Sequence, residues 1–282
     1  MRKSFHSASL LVGAALLVGA ASPAAAIDGT ILIDQNKAMT GNVTPGDAPG
    51  FPVTISLPGS YKLAGNLTVP DANTTAIVIA ADHVTIDLNG FAILGPVDCT
   101  GGFPCAPVST QTAYGVVAGS DSPPKSYYNI TVRNGTIQGM GSDGVHLLGD
   151  SIRVEDLHVR SNGLSGIVVR SIGLPYRQDN LIVHHNTVLL HSSYGIKTYA
   201  GVITDNTVSD SGFEGISIQV GGGTVARNLV SRSAFLGMGL TPSVSYYGNT
   251  MVDNNGGGLQ VSGGINTGQN VCGTAICPGA QF

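Results

Sequence analysis

Tryptophan is absent, charge is scarce, and beyond the N-terminus no apolar run is long enough to cross a bilayer. Asp, Glu, Lys and Arg make up 11% of the 282 residues, against roughly 25% in ordinary soluble domains. That deficit excludes a disordered polyampholyte and a long solvated helix or coiled coil. Glycine is plentiful instead: 40 glycines and 14 prolines supply about 19% of the chain. With 42% apolar residues and much Val, Ile, Thr and Asn, the natural class is β-structure with many tight turns. The length then points to one architecture built by repetition rather than two unrelated globules.

The N-terminal segment stands outside any fold argument. Arg2 and Lys3 precede an apolar run from Leu10 to Ala21, followed by Ala24, Ala25 and Ala26. This is the pattern of a secretory signal over 1–26, with cleavage after Ala26, and it predicts a secreted or periplasmic protein. The apolar run is shorter than the roughly 20 residues a membrane span needs, so no stable membrane insertion is expected after cleavage. The mature chain keeps eleven basic against seventeen acidic residues, about −6. Nucleic acid is not expected as a partner, because a polyphosphate demands a basic surface.

A motif returns along the second half of the chain, as ITVRNGTIQ from Ile130, IRVEDLHVR from Ile152, LIVHHNTVL from Leu181 and VITDNTVSD from Val202. It recurs as TVARNLVSR from Thr224 and SYYGNTMVD from Ser245. Anchoring it on Ile137, Val159, Val188, Val208, Val230 and Met251 gives spacings of 22, 29, 20, 22 and 21, the long one containing an insertion, Gly173 to Asp179. A third short strand follows each motif after a glycine: GVHL from Gly144, GIVV from Gly166, GIKT from Gly195, GISI from Gly215, GMGL from Gly237 and GLQV from Gly258. A three-strand unit of this length cannot bury its own apolar face and must stack on its neighbours. Helical repeats are excluded by period-two alternation punctuated by glycine. Leucine-rich repeats lack support, since neither their leucine and asparagine pattern nor a helix-forming return stretch is present.

The pattern resembles the right-handed parallel β-helix of the pectin-lyase-like superfamily, the fold of pectate lyases and related secreted bacterial proteins. The resemblance runs from Tyr61 to Gly264 and implies an all-β solenoid of about seven turns. Val132, Val154, Val183, Ile203, Val225 and Tyr246 are expected inside along one strand, and Val145, Ile167, Ile196, Ile216, Met238 and Leu259 along another. Asn186, Asn206, Asn228 and Asn249 recur at spacings of 20, 22 and 21, which predicts an amide ladder at one turn. Residues 27–60, with four prolines and the strand VTISL, read as an N-terminal cap covering the first open edge. Residues 61–264 form the β-helix, 95–128 an overhanging insertion regular only at YGVVA, and 265–282 a C-terminal cap.

The four cysteines fall as two close pairs, for which three connectivities exist. Neither pair has zinc-site spacing or the nearby histidines such a site needs, and neither a metal nor another cofactor is expected. Seven turns at about 4.8 Å make a rod on the order of 30 Å long, too far for bridges between its ends. Local disulfides are predicted: Cys99 with Cys105, tying the insertion, and Cys272 with Cys277, tying the end.

The strand after each glycine resembles the one that carries substrate clefts in this superfamily. Alternation places Asp143, Ser165, Tyr194, Glu214 and Leu236 outward before the glycine. His146, Val168, Lys197, Ser217, Gly239 and Gln260 follow two residues after it, and Leu148, Arg170, Tyr199 and Gln219 two further on. The middle turns thus gather His146, Arg170, Tyr194, Lys197, Tyr199 and Glu214 on one side. SDGV from Ser142 and GIKT from Gly195 are similar to strands of polygalacturonases, but Leu164 and Ser165 stand where that family needs carboxylates. Asp143 and Glu214 are also three turns apart, roughly 14 Å, beyond the 5–9.5 Å of glycoside hydrolysis. Lyase chemistry fits better: Lys197 as base, Arg170 on a uronate carboxylate, Tyr194 or His146 giving a proton to the leaving oxygen, and Tyr199, Glu214 and Asp143 holding substrate. The plain alternative is a solvated face with Lys197 paired to Glu214. A second stripe, Glu155, Asp156, His184, His185, Asp205 and Arg227, reads as a surface ion-pair ladder. The expected function is therefore an exported protein binding or processing an extended polysaccharide, with uronic-acid lyase activity as its enzymatic form. The alternative class is a noncatalytic envelope or surface β-helix serving adhesion.

Overall fold

The computed structural model describes residues 29–99, 113–171 and 180–277. The predicted signal, Cys105 and the whole Gly173–Asp179 insertion lie outside the described residues. Within them the chain winds through three parallel faces. The first begins with Thr30–Ile33, Gly59–Leu63 and Val84–Asp87 and continues through residues 130–133 of the long strand Tyr127–Gln138 and residues 152–155 of the long strand Val145–Arg160. Ile182–His184, Gly201–Thr204, Gly223–Ala226, Val244–Tyr247 and Ile265–Gly268 complete it. The second face runs from Leu67–Thr68 and Ala92–Leu94 through residues 135–138 and 157–160 to Thr187–His191, Thr207–Ser211, Leu229–Ser231 and Thr250–Val252. The third runs from Val53–Ile55, Ile77–Ile79 and Val116–Ala118 through residues 145–148 to Ile167–Arg170, Ile196–Thr198, Ile216–Ile218, Met238–Leu240 and Val261–Ser262. Parallel neighbours joined through crossovers wind right-handed.

The registers follow the anchors read from the repeat. Ile137, Val159, Val188, Val208, Val230 and Met251 sit in one aligned column, each fully buried. The column from Val132 to Tyr246 is aligned and buried as well. In the third column the last place belongs to Val261, which pairs with Met238, while Leu259 is 57% exposed. The cause is a longer final coil. Ten residues separate Met251 from Val261 where eight separate Val230 from Met238, and the surplus forms a short 3-10 turn, Asn254–Gly257.

The corner between the first and second faces has a local explanation. His185, Asp205 and Arg227 adopt left-handed φ of 55°, 58° and 55°, turning the strand sharply, and the following asparagines point inward. Asn186, Asn206, Asn228 and Asn249 donate amide to amide at 2.9–3.0 Å, the last onto Asn270, which extends the ladder by one coil. Each amide also donates to backbone carbonyls, so these buried groups are satisfied.

Residues 27–60 hold strands of the stack: Thr30–Ile33 pairs in parallel with Gly59–Leu63, and Val53–Ile55 with Ile77–Ile79. Between them lies a six-residue helix, Gln35–Thr40, capped by Asp34, which accepts from the Lys37 N–H at 2.7 Å. Inside 95–128, Val116–Ala118 is a regular rung of the third face. Ser120–Asp121 and Pro124–Lys125 form a small antiparallel hairpin beside it. Cys272 and Cys277 are bridged with α-carbons 4.8 Å apart. Cys99 is disulfide-bonded, and its expected partner lies outside the described residues.

Candidate functional site

The third face carries the residues singled out by alternation, and its register brings them together. Val145, Ile167, Ile196 and Ile216 stack inside. On the outer side His146, Val168, Lys197 and Ser217 follow one another coil by coil. A hollow of about 370 Å³ is lined by Asp143, His146, Ser165, Val168, Arg170, Tyr194, Lys197 and Tyr199. Leu148, placed outward by alternation, is instead 1% exposed, and Gln260 is buried against Asn254 in the lengthened final coil.

Asp143 is 2% exposed and fully used. It accepts the Ser165 N–H at 2.8 Å and pairs with His146 Nδ1 at 2.7 Å. A carboxylate only accepts, so Nδ1 donates to it, which in the neutral ring leaves the lone pair on Nε2. The Tyr114 ring packs 4.9 Å from the His146 ring. Tyr114 was not anticipated, although it precedes Gly115 as Tyr194 precedes Gly195, and the backbone aligns these positions. That column was the signal that would have found it. Desolvation by burial, with the Asp143 charge adding to it, raises the Tyr114 hydroxyl.

Arg170 is engaged by Asp121 of the small hairpin through both guanidinium nitrogens, one contact at 2.9 Å and the other shorter. Those hydrogen bonds hold the Asp121 carboxyl below its ordinary range. The carboxylate-gripping place expected for substrate on Arg170 is thus taken by the protein's own side chain. Asp121 lies in an irregular segment, where the repeat offers no signal. The guanidinium also lies 5.6 Å from the centre of the Tyr199 ring.

Lys197 places its ammonium 4.7 Å from the centre of the Tyr194 ring. Among the described residues no carboxylate lies within ion-pair distance of it, Glu214 included. Burial, followed by the Arg170 charge, lowers its affinity for the proton. Glu214 turns toward the next coil, and a β-carbon at Gly239 would meet its carboxyl at 2.4 Å. Burial raises the Glu214 carboxyl, while Ser217 and Lys197 pull it down.

A second hollow, about 440 Å³, adjoins the first across Tyr194 and is lined by Glu214, Ser217, Gln219, Gly239 and Thr241. Gln219 donates to the Tyr194 hydroxyl at 3.1 Å. Beside both hollows runs an aromatic row. Tyr194 meets Phe213 edge-on at 5.1 Å, and Phe213 stacks on Phe235 at 5.0 Å, with the two phenylalanines partly exposed.

The stripe at the first corner pairs internally. Glu155 contacts His184 at 2.7 Å, Asp156 lies 3.8 Å from His185, and Arg227 grips Asp205 through two bonds of 2.7 and 2.6 Å. His184 and His185 cannot both face outward on a regular strand, and the left-handed His185 resolves this by opening the turn. Among the described residues no three His, Cys, Asp or Glu side chains converge as a metal site would require.

No curated protein matches the chain. Among solved structures, the A-module of mannuronan C-5 epimerase AlgE4 from Azotobacter vinelandii is similar at 14% identity, with a TM-score of 0.38. The match covers 71% of this chain and 70% of that one, and at this level it bears on no statement about activity. The family model described as "Right handed beta helix region" matches residues 60–230 and 117–271. Together these matches span most of the solenoid, and the chain belongs to the right-handed β-helix family.

Proposed function

We propose that the third face binds an extended, uronate-containing polysaccharide along the stack axis, and that it cleaves the chain by elimination. The observation that carries this reading is Lys197: a half-buried ammonium over a tyrosine face, in a groove, with no carboxylate in ion-pair contact among the described residues. Such a cation favours an anionic ligand, and the adjoining aromatic and hydroxyl-bearing walls suit sugar rings.

The roles differ from those expected from the sequence, because Arg170 is held by Asp121. His146 and Lys197 stand two coils apart, roughly 10 Å at the rung spacing, with the small, flat Val168 between them. A uronate lying over Val168 presents its carboxylate to Lys197. Neutralising that carboxylate makes the adjacent C–H more acidic. Nε2 of His146, its ring fixed by Asp143, takes the proton, and the electron pair forms the new C=C bond as the glycosidic C–O bond breaks. The imidazolium so formed returns the proton to the leaving oxygen. Tyr199 and Tyr194 bound the sugar on either side.

The protein acts after export, in a secreted or periplasmic setting. The signal pattern over 1–26 supports this, and so does the Cys272–Cys277 bridge, which suits an oxidising compartment.

The test is a panel of pectin, alginate and glycosaminoglycan polymers followed by the ultraviolet absorbance of unsaturated chain ends and by calorimetric binding. Product is expected on at least one polymer. Lys197→Met is expected to weaken binding by about tenfold or more, a loss of about 1.4 kcal/mol or more. His146→Gln is expected to abolish product while leaving binding. Binding with no product on any polymer would favour the adhesion reading, and no binding at all would defeat the polysaccharide reading.

A further inference from the structure

We infer that the groove selects a heteropolymer in which a uronate is followed by an uncharged sugar, the uronate over Val168 and the uncharged sugar in the hollow beside Glu214. This rests on the polysaccharide reading above and narrows its substrate class. The two hollows share the wall formed by Tyr194, so a ligand leaving one enters the other. Their chemistry changes at that wall. The first is lined by Lys197, Arg170 and His146. In the second, the register replaces Lys197 by Ser217 and then Gly239, and no cation lines it among the described residues. Its ionisable carboxyl is Glu214, seated where Gly239 lacks a β-carbon.

A second uronate there would bring its carboxylate against Glu214 with no cation in the lining to meet it, whereas an uncharged sugar offers hydroxyls to the same wall. The Gln219 amide nitrogen is committed to Tyr194, which leaves its carbonyl oxygen to accept from a sugar hydroxyl. Leu236, Leu240 and the Tyr194 ring supply the apolar part of its lining. Discrimination then comes from repulsion of the wrong neighbour as much as from attraction of the right one.

The experiment measures calorimetric affinity of wild type, Glu214→Gln and Lys197→Met for hyaluronan, in which uronate and uncharged sugar alternate, and for polygalacturonate and alginate, in which every residue is a uronate. Wild type is expected to favour the alternating polymer by about tenfold. Glu214→Gln is expected to close most of that gap by strengthening the homopolymers several-fold more than it alters hyaluronan binding. Equal wild-type affinity for both kinds, or a Glu214→Gln variant that weakens both alike, overturns the inference. If homopolymers bind through Lys197 without discrimination, only this inference fails. If none of the three polymers binds, the polysaccharide reading fails with it.

Discussion

His191 is wholly buried in a polar column between Asn162 and Ser211, and its hydrogen bonds specify the neutral ring. Nδ1 accepts the Asn162 N–H at 3.3 Å, and Nε2 donates to the Val159 carbonyl at 3.2 Å. Burial, only partly offset by those carbonyl and charge contacts, depresses its pKa from 6.5 to about 4. The unfolded chain therefore binds the proton more readily. Stability is unaffected above about pH 6.5, falls as pH drops through the interval between the two values, and has lost about 3 kcal/mol below the lower one. Urea midpoints at neutral pH and near pH 4 measure this, and His191→Ser, matching Ser211 and Ser233, is expected to flatten that slope. Asn228 makes a second residue-scale case. Its amide donates to Ile203, Ala226 and Asn249, and its oxygen accepts from Asn206. Asn228→Ala orphans buried groups on both sides and is expected to cost about 2–4 kcal/mol in a denaturation curve. Spacing alone made the asparagines legible. The Asp121–Arg170 contact was not, because a residue in an irregular hairpin has no column to betray its neighbour.

Six successive coils open their third strand with a glycine, at 115, 144, 166, 195, 215 and 237. A β-carbon at Gly215 would lie 2.3 Å from Val230 and 2.8 Å from the Gly237 carbonyl, where the packing cannot yield without moving the next coil. Gly215→Ala is expected to cost about 2 kcal/mol or more in stability. Gly239→Ala should behave differently, since the atoms it meets belong to the mobile end of Glu214. Its melting temperature is expected to stay near wild type while the displaced carboxyl fills the second hollow and weakens polysaccharide binding. The two variants separate glycine needed for the coil from glycine needed for the groove. Period-two alternation located the groove residues His146, Lys197 and Tyr194, but it placed Leu148 on the surface and ended the inner column at Leu259. Alternation assumes every coil has equal length and every strand the same bend, and the final coil breaks the first assumption.

Across the whole molecule, stability is carried by contacts between neighbouring coils, so the ends are expected to open before the middle. Amide hydrogen exchange should be slowest in Ile167–Arg170, Ile196–Thr198 and Ile216–Ile218 and fastest in Val261–Ser262 and Ile265–Gly268. The Cys272–Cys277 bridge closes a short segment, and loops of that length contribute about 2 kcal/mol. Replacing both cysteines by alanine is expected to speed exchange in Ile265–Gly268 and leave Ile196–Thr198 unchanged.

The sequence by itself determined the solenoid, its coil length, its inner columns and its asparagine ladder, because stacking forces equivalent positions to recur at near-constant spacing. It also determined which outward positions carry charge. Only the tertiary structure decided which of those charges are already satisfied. Arg170 is claimed by Asp121 from an insertion, Asp143 by His146 and a backbone amide, and Lys197 is left over a tyrosine face with no carboxylate in ion-pair contact among the described residues. Pairing depends on side-chain reach across coils and loops that spacing does not encode. The few charges of a charge-poor chain acquire their chemistry only when their neighbours in space are known.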